Sequence, residues 1–181
     1  MTKSGMIRRI DELGRIVVPK EMRKTLMIEK GDTVEIFVEN SELKIKKYSP
    51  LSNIKTFACL TAELLGKNTK KSCIITDTDF VLGVYDKSFK PFVGEKVSDD
   101  LIEIMRKGKT LNVKKGQTQP ISMLKGNIIQ VTNQIIVPVV KVGDVFGSVI
   151  LFNNDENDIF TECDLRLTEL SANFLSKQFE I

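Results

Sequence analysis

The 181-residue chain contains no histidine. That absence removes Ser-His-Asp and Cys-His nucleophilic catalysis, imidazole acid–base chemistry and histidine-based metal sites. Its three cysteines, at 59, 73 and 163, are odd in number and form no CxxC pair. They suggest neither a disulfide framework nor zinc-ligand spacing, so a reducing cytoplasm is the expected compartment. No apolar run approaches the roughly 20 residues of a membrane helix. The opening MTKSGMIRRI lacks the apolar core of a signal peptide. Neither catalytic residues nor a metal site are expected.

What is present is a globular mixture, 41% hydrophobic and 28% charged, with its charge unevenly divided. Residues 1–48 hold 11 Lys+Arg against 8 Asp+Glu, whereas residues 49–181 hold 16 of each. All of the net +3 therefore sits at the N-terminal end, and within residues 1–24 the balance is 7 against 3. Such an excess points to a polyanionic partner there.

Thr33–Glu39 and Glu42–Lys46 alternate with period two, as half-buried strands do, with Asn40-Ser41 as the turn between them. Met6–Ile10 and Arg15–Val18 are also strand-like and flank Asp11–Gly14. Pro19 suits the first turn of a helix through Leu26. Short strands in so few residues bury little apolar surface, and with no disulfide or metal the usual remedy is oligomerisation. An intertwined homodimer is the expectation.

Ser49-Pro50 has the form of a helix start, and Leu51, Ile54, Ala58, Thr61 and Leu65 follow at helical spacing until Gly66 and Asn68. Two readings stand: a linking helix with a coiled-coil-like seam, or a helix packed on its own domain. Beyond it, strands are expected at Ser72–Asp77, Phe80–Tyr85, Gln134–Val140 and Val145–Asn153, with a helix at Ser98–Lys107. A final helix opens on Thr161 with Asp164 three residues later, a capping-box pattern, and carries the apolar stripe Cys163, Leu167, Leu170 and Phe174. The expected organisation is α+β: residues 1–49, a linking helix at 50–68, and a sheet domain flanked by helices at 69–181.

The stretch RRIDELGRIVVPKEMRKTL, with GDTVEIFVE and LKIKKYSP after it, resembles the AbrB-type transition-state regulator domain. That resemblance implies a swapped-hairpin β-barrel formed by two intertwined chains, and binding to double-stranded DNA. Carried over residue by residue, it assigns DNA contact to Arg8, Arg15, Arg23 and Lys24. Arg9 and Lys20 join them as neighbouring cations. For any one of these, the competing reading is an ion pair with Asp11, Glu12 or Glu21. Guanidinium groups suit phosphate oxygens and guanine edges, and a two-fold dimer doubles each contact. A head without a long recognition helix should lean on phosphates and DNA shape.

The run QIIVPVVKVGDVFGSVILFN, with flanking helices, resembles the GAF family. This implies a sensor or oligomerisation domain, with residues 87–125 as a pocket wall for an unidentified small molecule and no recognisable cofactor. Head, Ser-Pro helix and GAF-like tail together resemble a family of sporulation regulators of transcription. That wider resemblance implies forespore genes, a nucleoid-associated cytoplasmic protein, and a homotetramer joined through helices near the GAF-like domains. Two other classes compete with this reading. An antitoxin-like interaction module shares the head's fold but usually has a disordered tail. A GAF-based thiol enzyme needs clustered cysteines.

Overall fold

In the computed structural model, which describes residues 5–113 and 119–178, the alternating pattern of the first unit becomes a hairpin. Strand β1 (Val34–Glu39) pairs antiparallel with β2 (Glu42–Lys47), Glu39 opposite Glu42. Asn40 and Ser41 both adopt positive φ, 52° and 63°, as a two-residue primed turn requires. Helix α1 (Lys20–Leu26) starts behind Pro19 and ends on Met27 in the left-handed conformation. The chain divides into two compact units between Tyr48 and Ser49.

The segments around Met6–Ile10 and Arg15–Val18 differ from expectation. They are not strands: their one described ladder-like bond runs from the Asp11 amide to the Arg15 carbonyl. A strand needs a pairing edge, and the single chain supplies none to these segments. Their apolar side chains are left in solvent, Ile7 at 94% exposure and Val17 at 73%. Among the described residues, the buried apolar core lies wholly in the second unit.

The second unit starts at Ser49, whose hydroxyl accepts from the Ser52 amide and caps α2 (Pro50–Asn53). Ile54 departs from helical geometry, and α3 (Lys55–Thr69) follows. The expected single helix is thus two. Leu51, Ala58, Ala62 and Leu65 are buried in this unit's own core, so the inner seam belongs to the second unit rather than to a free linker. The helix also runs past Gly66, its expected end. There a Cβ would lie 2.1 Å from the Tyr85 ring, so glycine serves close packing and not termination.

Five antiparallel strands follow: β3 (Ser72–Asp77), β4 (Val81–Val84), β5 (Leu111–Val113), β6 (Asn133–Lys141) and β7 (Asp144–Asn153). Their order is β4-β3-β7-β6-β5, with Asp77 opposite Gly147 and Asn133 opposite Asn153. Alternation within the strands splits the core in two. Ile75, Val137, Val149 and Leu151 face α2, α3 and α5 (Glu162–Ser176). Ile74, Ile136, Ile150 and Phe152 face the 3-10 turn Lys87–Phe92 and α4 (Asp99–Lys107).

The C-terminal stripe lies largely outside the core. Thr161 and Asp164 do form a capping box at the start of α5. The helix, however, buries Asp164, Thr168, Ala172 and Leu175, while Leu170 and Phe174 remain exposed. Thr168 tolerates burial because its hydroxyl donates to the Asp164 carbonyl at 2.7 Å. Outside the core, Phe174 meets Phe57 of α3 with ring centroids 6.5 Å apart. No described helix is long and apolar enough to cross a membrane.

Candidate nucleic-acid interface

The first unit's basic residues form two groups. Arg8 and Arg9 lie on the exposed extended segment before a tight turn, and Arg15 lies after it. Asp11 organises that turn. Its carboxylate accepts from the Leu13 amide at 3.0 Å, the Arg15 amide at 2.8 Å and Arg15 Nε at 2.7 Å. Gly14, at φ 75°, closes it by donating to the Asp11 carbonyl. The bonds from Arg15, amide first and guanidinium second, hold the Asp11 carboxyl below its ordinary value.

Arg15 is therefore paired, as the competing reading allowed, but only through Nε. Its two Nη nitrogens, four of the guanidinium's five donors, have no protein acceptor among the described residues. Arg8 reaches only the Ile7 carbonyl, at 3.5 Å. Arg9 has no ion pair among the described residues.

The second group rides α1, where Lys20, Arg23 and Lys24 share an edge at three- and four-residue spacing. All three are exposed. Arg23 Nη1 donates to the Val18 carbonyl at 3.3 Å, tying the end of α1 to the chain before it. Arg23 and Lys24 also sit in the last turn, where cations favour the helix dipole.

The lysines of β2 behave differently. Lys44 pairs with Glu39, Lys46 with Glu35 at 2.8 Å and Lys47 with Asp32 at 3.3 Å. The hairpin's positive charge is thus internally neutralised, while the turn and α1 present theirs outward. Cross-strand register, which sets Lys46 opposite Glu35, makes this division.

Other candidate chemistry is dispersed. Cys73 is buried, and desolvation pushes its thiol far up, the wrong direction for a nucleophile. Cys59 and Cys163 are exposed on α3 and α5. Among the described residues no cluster of His, Cys, Asp or Glu is arranged to hold a metal ion. Asp99 and Asp100 occupy the first turn of α4, with Asp99 3.2 Å from Lys125. The expected pocket wall, residues 87–125, packs its own Leu101, Met105, Met123 and Leu124 in one cluster with the sheet residues Ile74, Ile136, Ile150 and Phe152. Residues 114–118 of that wall lie outside the described residues.

Residues 53–180 match the family described as stage V sporulation protein T C-terminal, transcription factor. Residues 7–52 match the family described as antidote-toxin recognition MazE, bacterial antitoxin. Over 181 residues the chain is 34% identical to stage V sporulation protein T of Bacillus subtilis (strain 168), covering 99% of each chain. Over 50 residues it is 46% identical to the transition state regulatory protein AbrB of the same organism, covering 28% of this chain and 52% of that one. The GAF domain of an Acinetobacter phosphoenolpyruvate-protein phosphotransferase superposes with a TM-score of 0.58 at 15% identity. That superposition covers 68% of this chain and 80% of the other, and it gives the second unit a GAF fold.

Proposed function

The chain belongs to the stage V sporulation protein T family and is a DNA-binding transcription regulator, and from that premise we propose how its two units divide the work. The head binds double-stranded DNA through Arg8, Arg9, Arg15, Lys20, Arg23 and Lys24. The observation that carries this reading is the contrast within the head: Lys44 and Lys46 of β2 pair with Glu39 and Glu35 of β1, while all six of these cations are exposed and, among the described residues, only Arg15 is ion-paired, through Nε. Phosphate contacts dominate, so affinity falls steeply with salt.

The head acts as an intertwined swapped-hairpin dimer. Uncovered Ile7, Ile10, Leu13 and Val17 support this, because unpaired extended segments with apolar side chains are what a second copy's strands would cover. The second unit is the tetramerisation module. Phe57, Leu60 and Leu64 of α3 with Leu170 and Phe174 of α5 make an exposed apolar face across two helices. Joining two dimers there lets both heads engage one duplex, multiplying affinity through effective concentration.

The unit serves as a sensor only if a ligand displaces the side chains now filling the sheet face under residues 87–125. Its role is regulatory and not enzymatic, in a cytoplasmic, nucleoid-associated protein acting on forespore genes. A toxin-binding role for the head is the second reading, favoured by the match over residues 7–52. A protein partner co-purifying in place of DNA binding would establish that role instead.

The test is fluorescence anisotropy with a promoter-length duplex across a salt series, for wild type, Arg15→Ala and Arg23→Ala. The expected slope of log affinity against log salt is steep and flattens by about 0.9 for each phosphate that is no longer neutralised. Absence of binding at low salt by folded, dimeric protein overturns the reading.

A further inference from the structure

The second unit's net charge of zero conceals a separation. Residues 87–125 carry nine Lys+Arg against four Asp+Glu, a net +5, while the rest of the unit carries seven against twelve, a net −5. In the structure the described part of this segment is a layer laid over one face of the sheet. Phe89, Phe92, Val97, Leu101 and Met105 point into the apolar core beneath it. Its charged side chains are left on the outside.

Lys87, Lys90, Lys96 and Lys109 are exposed, with no acidic partner among the described residues. Lys107 and Lys125 pair with Glu103 at 2.7 Å and Asp99 at 3.2 Å. Three residues per turn place Lys87 and Lys90 on one edge of the 3-10 turn. The Lys125 amide donates to the Lys96 carbonyl at 2.9 Å, so these two stand side by side. On the helices of the opposite face, Arg166 sits between Glu162 and Glu169 and Lys67 beside Glu63, whereas Lys55 is exposed.

We propose that the basic layer formed by residues 87–113 and 119–125 is a second DNA-contacting surface, which neutralises phosphates of a duplex already held by the head. The proposal rests on the reading of the head as the DNA-binding element. Tethering brings the duplex to this layer at high effective concentration, so individually weak lysine–phosphate attraction becomes useful. Six of the seven cations on the described part of the layer are lysine. Lysine is a point charge on a flexible stem, suited to phosphate neutralisation and not to bidentate reading of bases. The surface therefore adds affinity and salt dependence without sequence preference.

The experiment compares full-length proteins on one promoter-length duplex across a salt series. The triple variant Lys87→Gln/Lys90→Gln/Lys96→Gln removes three layer charges. Lys55→Gln/Lys70→Gln/Lys177→Gln removes the same net charge from elsewhere in the unit. The layer variant is expected to flatten the salt slope by about 2.7 units, three phosphates at roughly 0.9 each, and to weaken binding about tenfold. The control triple should stay within about twofold of wild type.

Equal losses in both triples overturn the proposal, since bulk charge would then explain them. A layer variant that binds as wild type also overturns it while leaving the head's role intact. Wild-type protein that fails to bind DNA at low salt removes both readings together. Unchanged DNA binding, with loss of pelleting on phosphatidylserine vesicles, assigns the layer to membranes and overturns the DNA proposal.

Discussion

Arg15 holds the Asp11 turn through Nε and offers its remaining donors to solvent, so it is both a structural and a recognition residue. Arg15→Lys should keep much of the salt dependence yet lose the turn's Nε bond and the forked geometry, giving weaker binding than charge alone predicts. An affinity equal to wild type would show that only charge matters. The turn should also respond to acid. Asp11 is depressed in the fold, so its stabilisation is present above the ordinary value of 3.8 and is lost as pH falls below that through the folded value. A carboxyl-detected NMR titration should find the turn intact at pH 5, with Asp11 titrating below 3.8. Two glycines belong to this scale. Alanine ordinarily improves a helix by about 1 kcal/mol over glycine. At Gly66 the Cβ would collide with Tyr85, and overpacking costs of about 1–3 kcal/mol should reverse the sign. Gly147→Ala should be worse, because its Cβ would meet the Thr76 carbonyl oxygen at 2.0 Å, and a paired strand cannot move aside. Urea unfolding of both variants checks the sign and the order.

Elements were legible where one chain satisfies its own pattern. β3, the β6–β7 pair, α4 and the capped start of α5 lie where alternation and capping residues put them, because each buries its apolar side within its own unit, while the β1–β2 hairpin is fixed by its alternation and its Asn40-Ser41 turn with its apolar side chains left largely exposed. Strand β5 was missed: three residues beside a polar stretch offer no period to detect. The stripe on α5 shows the limit of periodicity. Leu170 and Phe174 are correctly spaced as a face, but spacing does not say whether that face meets its own sheet or another surface. Polar Thr168 and Asp164 take the inner side because backbone and capping bonds satisfy them. In the head, the six basic residues were legible as types; the neutralisation of Lys44 and Lys46 depended on strand register. Leu60→Glu/Leu170→Glu places charge on the exposed face while sparing the core. Sedimentation should then show a smaller assembly with unchanged helix content. An unchanged sedimentation coefficient argues against assembly through this face.

At the scale of the whole molecule, total charge was the least informative quantity in the sequence. A net +3 divided by unit pointed to the head, yet the zero of the second unit combined +5 and −5 on different segments. Burial is divided as unevenly: the described apolar core lies in residues 49–178, and the head leaves its apolar residues uncovered. Removing residues 51–181 should therefore preserve head pairing while reducing affinity for a promoter-length duplex by orders of magnitude, since two linked heads become separate dimers. Equal affinities for the fragment and the full chain would remove linkage from the account.

The sheet order β4-β3-β7-β6-β5 has a consequence for synthesis. Strand β7 is the last to leave the ribosome but lies at the centre, with β3 on one side and β6 on the other. Until Asn153 has been translated, Ser72–Asp77 can pair only with β4, and its other edge has no permanent neighbour. At roughly 5–20 residues per second, that nascent edge waits several seconds while the rest of the sheet is made. The growing polypeptide is then most exposed to trapping by chaperones or by strands of neighbouring nascent chains, and slower translation of residues 78–153 lengthens the interval.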